Sequence, residues 1–151
     1  MNINTKHFGE LAVEEKDLLT FKHGLPGFED DHTYVLLPVD EAGVYYALQS
    51  LDKAEVALIV TNPYLFFADY EFHIEDAVVE ELGLNGPDDA AVYSVLTLKE
   101  PFKASTINLK APIVVNVHNK KAKQVILKED RYQRRQLLLT EDKGGEADAR
   151  P

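Results

Sequence analysis

The sequence has no cysteine. That removes disulfides, thiolate metal sites and cysteine nucleophiles together, and with them any need for an oxidising compartment. Long apolar runs are also missing. The longest aliphatic stretch, Val56-Ala57-Leu58-Ile59-Val60, stops at Thr61-Asn62-Pro63, far short of the ~20 residues that cross a bilayer as a helix. The opening Met1 to Phe8 carries no apolar core of the secretory-signal kind, so the cytoplasm is the expected compartment. Positive charge is scarce: 16 Lys and Arg stand against 26 Asp and Glu, a formal net charge of −10. Such a field repels nucleic acid and anionic membranes. It either serves solubility alone or speeds the encounter with a basic partner.

The usual signs of catalysis are absent as well. His7, His23, His32, His73 and His118 include no pair at the i, i+2 or i+4 spacing of a local metal site. There is no Gly-x-Ser-x-Gly elbow and no phosphate loop, and Gly83-x-x-Gly86 follows a helix signal instead of opening one, so it does not match a dinucleotide fingerprint. Adjacent acids at Asp30-Asp31, Glu80-Glu81 and Asp88-Asp89 read as solvated surface, because a catalytic pair needs one carboxyl raised by an apolar pocket. Two basic clusters occur, Lys120, Lys121 and Lys123, and Arg131, Arg134 and Arg135 around Tyr132. They allow an RNA-binding strip, although charged hairpin tips and edges commonly guard against aggregation. No cofactor is expected.

What is present is β texture. At 151 residues, with 45% hydrophobic and 28% charged composition, the chain suits one soluble domain. Strands are predicted over 8–13, 18–21, 34–39, 44–48, 56–60, 90–98 and 105–109, from alternation and β-branched content. A hairpin is predicted over Val114 to Leu127 around the Asn119 turn, and Tyr132 to Leu139 is open between strand and short helix. One helix is predicted where Ile74, Val78 and Leu82 form an apolar stripe, with Glu75 and Asp76 in its first turn and Gly83 as its stop. The stretch Tyr64 to Phe72, with Phe66, Phe67 and Tyr70, reads as an aromatic strand, covered on both faces or presenting rings to a partner. The polar segment 140–151 lacks large apolar residues and is expected to be a disordered tail. The predicted fold is mainly β: a small antiparallel barrel-like or sandwich fold with one or two short helices, formed as a single domain by residues 1–139.

Three groups of residues carry a family resemblance. The first is Phe8-Gly9-Glu10 with Phe21-x-x-Gly24-Leu25-Pro26-Gly27-Phe28-Glu29. The second is Leu48-Gln49-Ser50, then Asn62-Pro63 and Tyr70. The third is Asn108-Leu109-x-Ala111-Pro112-Ile113-Val114-Val115-Asn116, then Gln124-Val125 and Tyr132. In this order the set resembles the flagellar assembly factor family FliW. The resemblance implies a barrel-like fold, no enzymatic activity and two protein partners. One is CsrA, a basic RNA-binding dimer that represses flagellin translation; the other is flagellin, which would titrate the protein off CsrA. From the acidic charge, no direct nucleic-acid or membrane binding is expected. The alternatives are a flagellin-specific chaperone that never meets CsrA and, in another class, a small hydrolase with a carboxylate pair in the barrel mouth.

The signature residues also have physical readings. Gly24, Pro26, Gly27 and Phe28 would fix a turn. Asn62-Pro63 and Pro112 would end or bend strands, and Asn108 and Asn116 would satisfy turn amides; each is a scaffold residue or a partner contact. From charge and expected exposure, the candidate partner-binding residues are Tyr70, Glu71, Glu75 and Asp76, where the aromatic strand meets the acidic helix start.

Overall fold

Short apolar runs punctuated by glycine, proline and asparagine fold into strands too brief to stand alone, so each depends on its neighbours. In the computed structural model, which describes residues 1–139, they are β1 (Asn2–Asn4), β2 (Glu10–Ala12), β3 (Leu18–Phe21), β4 (Thr33–Pro38), β5 (Tyr45–Ser50) and β6 (Ala57–Thr61). The helix α1 (Asp76–Leu82) follows. Then come β7 (Ala90–Thr97), β8 (Thr106–Ile107), β9 (Ile113–Asn116), β10 (Lys121–Gln124) and β11 (Gln136–Leu137). The segment 140–151, expected as a polar tail, lies outside the described residues.

Strand β7 closes the sheet. Its first half pairs with β9 (Ala90↔Asn116 to Tyr93↔Ile113), its middle with β6 (Val60↔Val95, Thr61↔Ser94) and its end with β8. The order β7-β6-β5-β4-β3-β10-β9 therefore returns to β7 as a seven-stranded barrel, with β8 and β11 continuing as a flap. The pairings are antiparallel except β10 with β3. The fold is mainly β and barrel-like, as the alternation predicts.

The interior is filled by Leu19, Phe21, Tyr34, Leu48, Val60, Ile113 and Val115 with their neighbours. Much of the outer face is covered too. The β1–β2 hairpin lays Ile3 over Val35, Leu37 and Ala47. Helix α1 sets Val78 and Leu82 against Val114. The aromatic segment packs Tyr70 with Leu96, Ile107 and Leu109. Coverage on both sides explains why all four residues of β9 are buried and why the run Ile113-Val114-Val115 does not alternate.

Four local expectations change. Asp31, expected with Asp30 as a solvated surface acid, is buried (1% exposed), with Lys53 Nζ 3.8 Å from its Oδ1. The strand predicted over 8–13 shrinks to β2, because Gly9 takes φ +68° and the Phe8 amide donates to Thr5 Oγ1 at 2.9 Å, bending the chain. The hairpin predicted over 114–127 forms, but its second strand is 121–124. Asn116 Oδ1 accepts from the His118 amide (2.8 Å) and Lys120 turns left-handed (φ 65°), so pairing begins at once. The aromatic stretch is not a strand. Asn62 Oδ1 accepts from the Tyr64 amide at 2.9 Å, Pro63 opens a 3-10 turn over Pro63–Leu65, and the Phe66, Phe67 and Tyr70 amides bond locally to Pro63 and Phe67 carbonyls. These local bonds replace a ladder.

Candidate functional site

The segment that carries the predicted contacts, residues 62–76, is a loop that leaves β6 and enters α1, held down by the C-terminal part of the chain. Tyr70 is the anchor. It is 3% exposed, its hydroxyl donates to the Leu109 carbonyl at 2.8 Å, and its ring meets Tyr132 edge-on at 4.7 Å and Phe72 at 5.4 Å. Burial, with Tyr64, Tyr132 and Glu129 nearby, pushes its phenol well above the ordinary range. As a predicted exposed contact Tyr70 is corrected: a loop with no sheet partners needs an apolar hub, and Tyr70 supplies it.

Glu71, Glu75 and Asp76 are exposed, on the outer side of that hub. The backbone of Glu71 is clasped from three sides. Its carbonyl accepts from Tyr132 Oη (2.9 Å) and Arg131 Nη2 (3.0 Å), and its amide donates to Tyr132 Oη (3.0 Å). Arg131 also reaches Glu129 (2.6 Å) and stacks 4.8 Å from the Tyr132 ring centre. Glu75 is the residue before α1 and carries Lys128 at 3.2 Å, while Asp76 opens the helix. The strap 128–132 thus fixes the acidic edge. In the sequence Arg131 belongs to a basic cluster and Tyr132 to that cluster and to the family signature; nothing local announces a partner 61 residues away.

The other signature residues engage the backbone, Asn62 and Pro63 within this segment and the rest outside it. Gly24 takes φ +66°, and a Cβ there would lie 2.6 Å from the Phe28 carbonyl oxygen. Leu25, Pro26, Gly27 and Phe28 form a turn closed by the Phe28 amide donating to the Leu25 carbonyl (2.7 Å), with Gly27 at φ +87°. This is the proline-then-left-handed-glycine order of a type II turn. Asn108 Oδ1 accepts from the Lys110 and Ala111 amides, both at 3.0 Å. Buried Asn116 donates to the Leu82 and Gly83 carbonyls (2.8 and 3.3 Å) at the end of α1. Asn62 and Pro63 build the 3-10 turn, and Pro112 offers its carbonyl to the Val125 amide (2.8 Å).

Electrostatically the surface is engaged in small local pairs. Lys123 holds Glu81 at 3.1 Å with His23 at 3.5 Å, and His118 holds Asp89 at 3.0 Å. Partial burial pushes the Glu81 carboxyl up, and the Lys123 hydrogen bond and charge outweigh it, leaving it below the ordinary range. The Asn85 amide, against some desolvation and helped by His118, lowers Asp89, and the Gly27 amide lowers Glu29. Each of these three carboxyls is moved toward the ionised form, the opposite of what a general acid needs. Lys123 and Arg131, members of the two basic clusters, are each paired with an acid.

The FliW protein family model matches residues 2–138. The chain is similar to the flagellar assembly factor FliW of Bacillus velezensis, 44% identical over 138 residues that cover 91% of this chain and 96% of that one. It is also similar to the flagellar assembly factor FliW of Bacillus subtilis strain 168, 40% identical over 132 residues, 87% and 92% of the two chains. A crystal structure of the flagellar assembly factor FliW superposes with a TM-score of 0.87 at 36% identity, covering 93% of this chain and 98% of that one.

Proposed function

Because this chain belongs to the FliW family of flagellar assembly factors, we propose that it is a non-enzymatic, protein-binding regulator in the cytoplasm that switches between two partners. It binds the translational repressor CsrA, a basic RNA-binding dimer, and relieves its repression of flagellin mRNA. Free flagellin competes for it and so returns CsrA to the message. The observation that carries the reading is the acidic edge itself. Glu71, Glu75 and Asp76 stand exposed on a loop pinned by Tyr70 and Tyr132, within a protein of net charge −10. A charged edge held in one conformation is suited to a basic partner, because little ordering entropy is lost on docking.

Calorimetric titration into purified CsrA, repeated with flagellin already bound, tests this. Saturable CsrA binding that vanishes with flagellin present is the expected result. Flagellin binding with no CsrA heat would leave a chaperone; silence from both partners would sink the reading.

A further inference from the structure

Beside the acidic edge lies a half-open cleft of about 560 Å³, within the size range of binding sites. It is walled by Tyr46 and Tyr93, which meet edge-on at 6.0 Å, and by Asn62, Tyr64, Leu65 and Phe72. Two features suit it to binding. It displays apolar side chains to solvent: Leu65 is 58% exposed and Tyr64 40%. Among the described residues no hydrogen bond engages the Tyr46 or Tyr93 hydroxyl, so polar groups converge there with free capacity.

The segments that carry the cleft are predominantly acidic. The four chain segments that form the cleft, 40–46, 61–66, 71–76 and 86–93, contain no lysine or arginine and seven carboxylates. Against them stand Lys128 at Glu75 (3.2 Å), His118 at Asp89 (3.0 Å) and Arg131, which donates to the Glu71 carbonyl (3.0 Å). Aromatic walls without charge, whose lining residues Phe72 and Ile74 are flanked in sequence by the exposed acids Glu71, Glu75 and Asp76, complement one kind of segment: an apolar side chain flanked by lysine or arginine. The apolar group enters the cleft while the cations meet the rim and the ring faces.

We infer that this cleft, and not the acidic edge alone, is the docking groove for the basic partner, which inserts an apolar anchor between Tyr46, Leu65 and Tyr93. The inference rests on the CsrA reading above and adds to it an apolar contact that charge attraction does not require. Leu65 separates the two, since it is exposed enough to change without unfolding the chain. Leu65→Asp removes the apolar contact while making the site more attractive to cations; Leu65→Lys removes the contact and repels them. Calorimetry of each variant against CsrA at fixed ionic strength, with Leu137→Asp on the β11 flap (Leu137 is 50% exposed) as control, is the test. The groove predicts that both Leu65 variants bind about tenfold or more weakly, on the order expected when an anchor in an interface is truncated, and that the control stays within about twofold, as for residues outside one. Hydrogen–deuterium exchange should show protection at 62–66 and 90–93 in the wild-type complex. Unchanged or tighter binding by Leu65→Asp, with CsrA still bound by the wild type, overturns the groove and leaves the CsrA reading intact. Failure of the wild type to bind CsrA overturns both.

Discussion

At the scale of single residues, two glycines three positions apart separate steric from conformational demand. Gly24 and Gly27 both hold positive φ, but a Cβ on Gly24 would strike Phe28 and Glu29 backbone within 2.8 Å, while one on Gly27 meets nothing within 4 Å. Gly27→Ala should therefore cost only the left-handed penalty, about 1–2 kcal/mol. Gly24→Ala must also move main chain, and should cost more than Gly27→Ala by at least ~1 kcal/mol. Urea midpoints of the two variants check the order. Tyr34, fully buried in the barrel, carries a second residue-scale expectation. Burial, then the charges of Asp31 and Asp52, raises its phenol from 10.0 to about 12. A raised phenol favours the neutral, folded form. Its contribution is thus complete below pH 10 and is lost as pH climbs from 10 to about 12. Denaturant midpoints should be level on the near side of that window and fall within it, and Tyr34→Phe should fall less.

At the scale of elements, the seven-residue helix α1 is too short to persist by itself and is finished by another element. Asn116 and Asn119, at the β9–β10 turn, donate to the Leu82 carbonyl at 2.8 and 3.0 Å, supplying donors for carbonyls that a helix end leaves open. Asn116→Ala should destabilise the protein by roughly 1–3 kcal/mol, with amide exchange rising first in 76–84 and Asn119→Ala giving a smaller effect. The same geometry shows what the sequence can disclose. Where the partner is near in sequence, the signal is readable: Gly83 after the Val78 and Leu82 stripe, and the Pro26-Gly27 turn. Where the partner is distant it is not. Nothing in residues 90–97 says that one strand will pair with three others and close a barrel. The aromatic run 64–72 misleads for a different reason: β-propensity records aromatic content, while the neighbouring Asn62 cap decides the backbone. Of the candidate site, the exposed acids were legible from charge, whereas the burial of Tyr70 depends on Tyr132 and Leu109, remote in the chain.

At the scale of the whole molecule, a net charge of −10 and a localised acidic edge make different demands on binding kinetics. The long-range field acts on encounter and fades with salt, as the screening length shrinks from about 30 Å at 0.01 M to about 10 Å at 0.1 M; a docked ion pair acts on dissociation. Charge reversals matched in number separate them. Converting Glu71, Glu75 and Asp76 to lysine changes the net charge by two units at each site, from −10 to −4. Converting Asp30, Asp52 and Glu55 does the same. These three are exposed near the paired ends of β4 and β5 at Tyr34 and Ser50, the opposite end of β5 from Tyr46 in the cleft. Both triple variants should associate with CsrA more slowly at low salt, by a similar factor. Only the 71, 75 and 76 variant should dissociate faster, by about tenfold for ~1.4 kcal/mol of lost contact. Stopped-flow or surface-plasmon rates over a salt series give both constants. If the two variants share one slower association and neither alters dissociation, the field matters and the edge does not. If affinity for CsrA at low salt is unchanged by reversal at 71, 75 and 76, the assignment of those residues as contacts fails.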